Sequence, residues 1–128
     1  MVQQITNGIK ISVKTNFEGN QFQKHTLQYV FSYVITIENQ TDELVQLVSR
    51  HWNIYDSLND VNIVKGDGVI GKQPILNPQE KYSYNSFSVL NSPIGAMNGF
   101  YNMIAINTSK EFKVSIPTFQ LIVPKTLS

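Results

Sequence analysis

Apolar and polar residues alternate along most of this chain, with the period of a β-strand. Ile9, Ile11 and Val13 share one face of a predicted strand, and the lysines and the serine around them share the other. One buried and one solvated face is typical of strands in antiparallel sheets. Residues 29–37 carry a continuous apolar face with partial apolar cover opposite, which predicts a central strand. No segment of the sequence shows a helical period.

Further β-rich runs bring the predicted total to seven or eight short strands. They lie near residues 43–55, 61–65, 82–89, 100–107, 111–116 and 118–123. Turn-forming residues separate them, at 18–20, 39–42, 57–60, 77–80 and 107–109. We therefore predict an all-β fold, an antiparallel β-sandwich of about seven to eight strands. We expect looser structure in the first six residues, in residues 16–26 and after residue 123.

Size and composition predict a single domain without covalent cross-links. The chain has 128 residues, and neither a linker nor an internal repeat divides it. It has no cysteine, which excludes disulfides, thiolate zinc sites and cysteine nucleophiles. The N-terminus lacks a signal-peptide pattern, and no apolar run reaches the ~20 residues of a membrane helix. We therefore expect a soluble cytoplasmic protein with its core between about residues 9 and 123.

Charged side chains are sparse and nearly balanced. Ten basic and nine acidic residues give a formal net charge of +1. Charged residues make up 15% of the chain, against about 25% in a typical globular protein. Nucleic-acid binding depends on dense neutralisation of phosphates by basic side chains. We therefore expect no nucleic-acid partner.

Residues 49–56 bring a cation, an imidazole, an indole and a carboxylate into one predicted strand. Alternation places Arg50 and Trp52 on one face and Ser49 and His51 on the other, unless a bulge intervenes. In one interpretation Arg50 clamps an anion and His51 carries a proton. We favour the other, in which Trp52 anchors the core and Arg50 either lays its stem along it or pairs with an acid. Ser49 and His51 have no third catalytic partner, so we do not predict an enzyme.

Residues 65–74, Lys-Gly-Asp-Gly-Val-Ile-Gly-Lys-Gln-Pro, carry a glycine spacing that elsewhere binds phosphate. A dinucleotide fingerprint needs a helix after the glycines, whose N-terminus holds the pyrophosphate. Here Pro74 and Pro78 follow instead. We therefore favour a conformational role, in which the glycines adopt positive φ in a tight loop or let another backbone pass close.

The alternative function for this segment is anion binding without a helix. Successive backbone amides between residues 66 and 71 would form an anion nest, and nearby basic side chains would add positive charge. Asp67 opposes this role, because a carboxylate in the rim repels phosphate. The candidate ligand-binding residues are Gly66, Gly68, Gly71, Lys65, Lys72 and Arg50.

Metal binding and a partner-binding loop have weaker support in the sequence. The chain has two histidines without a recognised ligand spacing, so we predict no metal site and no cofactor. A hard-ion site from Asp56, Asp60 and Asp67 is an alternative that we do not favour. In the loop at residues 91–101, an exposed Ile94 or Met97 would suit a partner-binding tip, but we expect both side chains to be buried.

Five blocks of residues resemble the ApaG family. The resemblance runs from about Ile9 to Val123 and covers nearly the whole chain. In chain order the blocks are Tyr29-x-Phe-x-Tyr-x-Ile-x-Ile-x-Asn39, Gln46-Leu-x-Ser-Arg-His-Trp-x-Ile-x-Asp56, Gly66-x-Gly-Val-x-Gly-x-Gln-Pro74, Gly95-x-Met-x-Gly-x-Tyr101 and Ile116-Pro-x-Phe-x-Leu121.

The resemblance implies an immunoglobulin or fibronectin type III-like sandwich, in agreement with the strand pattern. It also implies that the glycine motif is a pyrophosphate or nucleotide site. This chain departs from the family pattern near that motif. It has Lys65 where arginine is common, Asp67 where glutamate is frequent, and Lys72 where an acid is frequent. Lysine in place of arginine exchanges a planar two-pronged donor for a point charge.

Bacterial members of the family are labelled as cobalt and magnesium efflux proteins, a role that is indirect for a chain without a membrane segment. Related domains in F-box and polymerase-interacting proteins resemble protein-interaction modules. The resemblance therefore favours a binding module for an unidentified protein partner, without contact to a membrane. A sensor of a small phosphorylated ligand is the alternative.

Overall fold

The computed structural model describes residues 1–57 and 61–125, and these residues form nine β-strands and no helix. The strands are β1 (Val2–Thr6), β2 (Ile9–Gln23), β3 (Thr26–Asn39), β4 (Val45–Asp56), β5 (Asn62–Asp67), β6 (Ile75–Leu76), β7 (Lys81–Leu90), β8 (Ile94–Ala105) and β9 (Lys110–Ile122). One sheet has the order β1-β2-β3-β7 and the other β5-β4-β8-β9, while β6 also pairs with β4. Every pairing is antiparallel, which confirms the predicted all-β sandwich.

The inner faces of the two sheets supply the core, and their alternation follows the sequence pattern. Trp52 is 4% exposed and packs against Tyr33 and Phe119, with ring centroids 5.6 and 5.9 Å away. This confirms its predicted role as a core anchor. The side chains of the core are Ile9, Ile11, Val13, Phe31, Tyr33, Ile35, Ile37, Val45, Leu47, Trp52, Val69, Leu76, Tyr84, Leu90, Met97, Tyr101, Met103, Val114, Ile116, Phe119 and Leu121.

Two segments predicted to be loose are strands. Residues 2–6 form β1, which pairs with β2 from Val2↔Val13 to Thr6↔Ile9. Residues 16–26 form the distal part of the β2–β3 hairpin, with a bulge between Phe17 and Gly19. Polarity misled the prediction, because a hairpin beyond the edge of a core is solvated on both faces yet keeps its backbone pairing.

The two predicted strands around Pro117 are one strand, β9. The β8–β9 register shifts at this point, from Met97↔Phe119 to Gly99↔Ile116. Because β9 is an edge strand, a proline at a bulge does not interrupt its pairing with β8. Most of the predicted turn at 57–60 and the last three residues of the tail lie outside the described residues.

Candidate functional site

The chain between β5 and β6 forms a compact loop that is bonded to the backbone of β4. The Gly68 amide donates to the Val48 carbonyl at 2.8 Å. Val69 and Lys72 exchange two backbone hydrogen bonds of 2.7 and 2.9 Å, and the Val69 side chain is buried in the core. This loop is therefore an ordered part of the sandwich.

A two-residue turn forms the tip of the loop. Ile70 has φ 47° and Gly71 has φ 71°, the pair of positive values that defines a type I′ turn. Ile70 is 58% exposed. Within the described part of the chain, the amides of these two residues make no hydrogen bond. We refer to Ile70 and Gly71 as the glycine turn.

The predicted conformational role is confirmed at Gly68 and Gly71, which have positive φ, whereas at Gly66 the close neighbour is the Arg50 side chain and not another backbone. At Gly68, which has φ +59°, an added Cβ would lie 2.0 Å from the Lys72 carbonyl oxygen. At Gly66 an added Cβ would lie 2.8 Å from Arg50 Nη2. At Gly71 the space is open, and only the positive φ disfavours another residue.

Arg50 reaches this loop because of a bulge in β4. The register with β8 shifts between Leu47 and Ser49, so both Leu47 and Trp52 face the core. Arg50 shares the inner face with Trp52 at the side of the sandwich. Its Nη1 donates to the carbonyl oxygens of Asp67 and Gly68 at 2.9 and 2.8 Å. These bonds fix the guanidinium over the loop.

The positive charge of Arg50 has no acidic partner within the described residues. Arg50 donates instead to two backbone carbonyls of the loop, so for this part of the chain the alternative prediction that Arg50 pairs with an acid is wrong. Burial raises the pKa of Tyr33, and a hydrogen bond from Ser86 and the Arg50 charge act in the opposite direction. An anion brought next to Arg50 would therefore meet a fixed, uncompensated cation.

A small cavity lies at this side of the sandwich, between the glycine turn and β7. Its volume is about 130 Å³. We call it the lateral pocket. Its lining residues are Tyr33, Arg50, Trp52, Val69, Ile70, Gly71, Tyr84 and Ser86.

The two lysines predicted to assist the loop lie in different places relative to the glycine turn. Lys65 pairs with His51 across β4 and β5, which places both side chains on the outer face of the sheet. Lys72 closes the turn through its backbone, and its side chain is exposed. The structure thus brings Arg50 together with the three glycines, while Lys65 lies in a depression on the outer face that Arg50 and Gly66 also line.

That outer surface is a shallow depression of about 420 Å³. His51 stacks on Phe100 with ring centroids 4.7 Å apart, and Lys113 Nζ lies 4.5 Å from the centre of the Phe100 ring. The neighbouring polar groups bond to each other, because Asn102 Nδ2 donates to Ser49 Oγ at 2.8 Å. Its aromatic and polar side chains are therefore already paired within the sheet.

The predicted anion nest is restricted by the loop geometry. The amides of Gly68, Val69 and Lys72 donate to carbonyls of the protein. The amides of Ile70 and Gly71 are the ones in this turn that stay open to a ligand. Anion binding at the loop stays a prediction, and its donors would be the glycine turn and Arg50.

The other candidates have structural roles. Met97 is buried as predicted, but Ile94 is 55% exposed, so the expected burial of Ile94 is wrong. Strand alternation puts Ile94 on the outer face, opposite to Met97. Asp56 accepts from the Asn91 amide at 2.7 Å. No cluster of three metal-binding side chains occurs in residues 1–57 and 61–125, and Asp60 lies outside these ranges.

Asn39, which the sequence places in a predicted turn, also organises the end of the sandwich near β6. Its side chain is fully buried. Its Nδ2 donates to the carbonyls of Glu43, Leu76 and Asn77 at 2.8, 3.1 and 3.2 Å, and its Oδ1 accepts from the Thr41 amide at 3.0 Å. The sequence carried one signal of this buried role, because Asn39 falls on the same alternating face of β3 as its apolar residues.

Comparisons with known proteins show which sequences this chain resembles. A family model described as the ApaG domain matches residues 19–105. A protein named ApaG from Thiobacillus denitrificans is 44% identical over 119 residues, covering 93% of each chain. Another from Shewanella sediminis is 40% identical and covers 96% of this chain and 97% of its own.

Two solved structures are similar to this chain in both fold and sequence. The crystal structure of a putative ApaA protein from Bordetella pertussis matches with a TM-score of 0.84 and 38% identity, covering 92% of this chain and 95% of its own. A structural-genomics target solved by X-ray crystallography matches with a TM-score of 0.88 and 36% identity, covering 94% of this chain and 91% of its own. No helix within residues 1–57 and 61–125 is long and apolar enough to cross a membrane.

Proposed function

Because this chain belongs to the ApaG domain family, we propose that it is a non-enzymatic, cytoplasmic module that binds a protein partner at the side of the sandwich. The observation that supports this most is the position of β7. Among the described strands, β7 pairs on one side only, and it lies next to the lateral pocket and the glycine turn. A rigid sandwich suits such a role because it presents edges and loops in fixed positions.

The edges of the two sheets are not equally protected. β1 has five residues, and β5 and β6 are short. β9 contains Pro117, and Asn7 Nδ2 donates to its Lys113 carbonyl at 2.9 Å. β7 has ten residues, contains neither proline nor glycine, and pairs with β3 alone among the described strands. Exposed edges of this kind are available for pairing with another chain.

The polar groups of β4 do not form a catalytic set, which supports a binding role. The His51 Nε2 atom lies 3.2 Å from Asn53 Oδ1, and the Ser49 hydroxyl accepts from Asn102. Nucleophilic catalysis by serine requires a base hydrogen-bonded to its hydroxyl. In this arrangement His51 and Ser49 bond to different partners.

Affinity capture with two matched variants tests the proposal. Phe87 on β7 is 65% exposed and Ile5 on β1 is 57% exposed, so Phe87→Arg and Ile5→Arg change comparable surfaces on opposite edges of one sheet. We expect wild type and Ile5→Arg to retain the same cytoplasmic protein after crosslinking, and Phe87→Arg to lose it. Equal capture by all three would contradict the proposed side. Hydrolysis of pyrophosphate at enzyme-like rates, abolished by Arg50→Ala, would contradict the non-enzymatic role.

A small-anion sensor is the second candidate. It is favoured by Arg50, which has no acidic partner in residues 1–57 and 61–125 and lies beside the open amides of the glycine turn. Pyrophosphate at a hundred times its dissociation constant should stabilise the fold by about 2.7 kcal/mol. For a domain of this size, that raises the melting temperature by about ten degrees. An unchanged melting temperature with pyrophosphate, ATP and a dinucleoside polyphosphate, each with and without magnesium, would exclude this function.

A further inference from the structure

We propose that the segment recognised by this protein is an extended acidic peptide, which adds to the free edge of β7 as a new strand of the first sheet. A carboxylate of the peptide enters the lateral pocket and pairs with Arg50. This inference rests on the proposed protein-binding function and specifies the ligand.

The backbone groups that would receive the peptide can be identified from the register. The Asn39 amide donates to the Glu80 carbonyl at 3.0 Å, and the same register continues through Ile37↔Tyr82. In an antiparallel pair, successive residues alternate between bonding the partner strand and facing away from it. Even-numbered residues of β7 therefore bond β3. The free edge is formed by the backbone groups of Ser83, Asn85, Phe87 and Val89.

The far end of β7 supports this assignment independently. The amide of Asn91, which continues the odd-numbered series, donates to Asp56 Oδ2 at 2.7 Å and so points away from β3. Within residues 1–57 and 61–125, no other segment makes a backbone hydrogen bond to residues 83–89 on that edge. Four consecutive odd-numbered residues thus offer donors and acceptors at the two-residue repeat that an extended chain complements.

On the outer face of the sheet, the free edge is polar at Ser83 and Asn85 and apolar at its far end. Phe87 is 65% exposed and Val89 is 46% exposed, and Val34 on the neighbouring strand is 38% exposed. Lys81, at the start of β7, is the strand's one charged residue. Natural edge strands usually carry charges, bulges or proline that prevent pairing. The outward side chains of an added strand would contact this apolar surface.

The inner side of the free edge selects an acid. The Ser86 side chain lines the lateral pocket, so the peptide residue opposite Ser86 would point into the same space. Arg50 lies there with no carboxylate partner in the described part of the chain. A charge-assisted hydrogen bond from a guanidinium is about twice as strong as a neutral one. An aspartate or glutamate at this position therefore complements the pocket better than a neutral residue does.

A second copy of this chain is a poorer occupant of the edge. If two β7 strands paired antiparallel, each would direct its own even-numbered side chains toward the partner's pocket. Those side chains are Tyr82, Tyr84, Ser86, Ser88 and Leu90, and none is acidic. Self-pairing would leave Arg50 without a counter-ion.

A displayed library of random twelve-residue peptides, selected on the purified full chain, is the probe for this inference. We expect selected peptides to alternate apolar residues with polar ones and to share one aspartate or glutamate. Replacing that acid by its amide should weaken binding about tenfold. Fluorescence anisotropy of labelled synthetic peptides gives the affinities.

Two variants at Asn85 test the backbone pairing. Asn85→Pro removes an edge amide that makes no bond to β3, and proline is tolerated at such positions of an edge strand. Asn85→Ala keeps the amide and is the matched control. We expect Asn85→Pro to weaken binding at least tenfold and Asn85→Ala to leave it unchanged. As a second measure that leaves the protein intact, N-methylation of the peptide amides that face β7 should also abolish binding.

A selection without binders, or binders equally tight on Asn85→Pro and without a shared acid, would overturn the inference. Self-association of the wild type that is lost in Asn85→Pro would also overturn it, in favour of a second copy at this edge. These outcomes are separate from failure of the proposed function. If the partner captured by the wild type were also captured by Asn85→Pro, the binding module would stand and the added strand would not.

Discussion

Two single glycine-to-alanine variants in one loop separate the energetic cost of backbone strain from the cost of a steric clash. Gly68→Ala and Gly71→Ala both place a side chain at positive φ, +59° and +71°. At Gly71 an added Cβ meets nothing within 4 Å, whereas at Gly68 it would lie 2.0 Å from the Lys72 carbonyl oxygen. The difference between the two variants therefore reports the cost of moving that carbonyl.

The expected magnitudes follow from the contacts. Gly71→Ala should cost about 1 kcal/mol, the penalty for a left-handed alanine. Gly68→Ala carries the same penalty. In addition, moving the Lys72 carbonyl breaks the two backbone hydrogen bonds that Lys72 and Val69 exchange. At about 1 kcal/mol for each hydrogen bond, the total for Gly68→Ala is about 3 kcal/mol.

Thermal unfolding followed by the fluorescence of Trp52 measures the difference. For a domain of this length, 1 kcal/mol shifts the melting temperature by about 4 °C. We therefore expect a decrease of about 4 °C for Gly71→Ala and about 12 °C for Gly68→Ala. If the variants and the wild type have the same m-value in urea, the variants differ in stability and not in the compactness of the unfolded state. Equal melting temperatures for the two variants would refute the steric argument.

Three further predictions concern the core. Trp52→Ala should cost about 3 to 5 kcal/mol by creating a cavity between the sheets, and a nearly unchanged melting temperature would show that the indole does not anchor the core. Asn39→Ala should cost about 3 kcal/mol, since it leaves buried carbonyls without donors; Asn39→Asp, which keeps the shape but loses the amide protons, should cost as much in urea unfolding. Burial raises the pKa values of Tyr84 and Tyr101, whose hydroxyls bond each other. Unfolded tyrosines lose their protons at about pH 10, whereas these two keep theirs in the fold, so the free energy of unfolding is highest below that pH and falls as pH rises. A Tyr84→Phe/Tyr101→Phe double variant should therefore lose less stability than the wild type between pH 9 and 11. The same pH slope in both proteins would argue against this origin.

The strand pattern and the packing of the core could be predicted from the sequence. Alternation with period two placed Ile9, Ile11 and Val13 on the buried face, and the structure shows each at most 1% exposed. The predicted importance of Trp52, Gly68 and Gly71 is also confirmed. These features depend on residues close together in the chain, so their signal is local.

The composition of the candidate site depended on the tertiary structure. Lys65 and Gly66 are adjacent in sequence, yet the Lys65 side chain lies on the outer face of the sheet, whereas Gly66 is covered by Arg50 on the inner face. The bulge after Leu47 changes which residues of β4 face inward. A bulge adds one residue to one strand, and the partner strand that reveals it lies about fifty residues later in the chain.

The sequence alone determined that this chain is an antiparallel sandwich with a family-typical glycine loop, because alternation and turn chemistry are properties of short segments. Only the tertiary structure decided that β7 is an edge, that Arg50 lies beside it without an acid from the described part of the chain, and that the glycine turn closes the same pocket. Each of these facts depends on which distant strands are neighbours. Sheet order is a property of the whole chain, since every strand competes with the others for its partners.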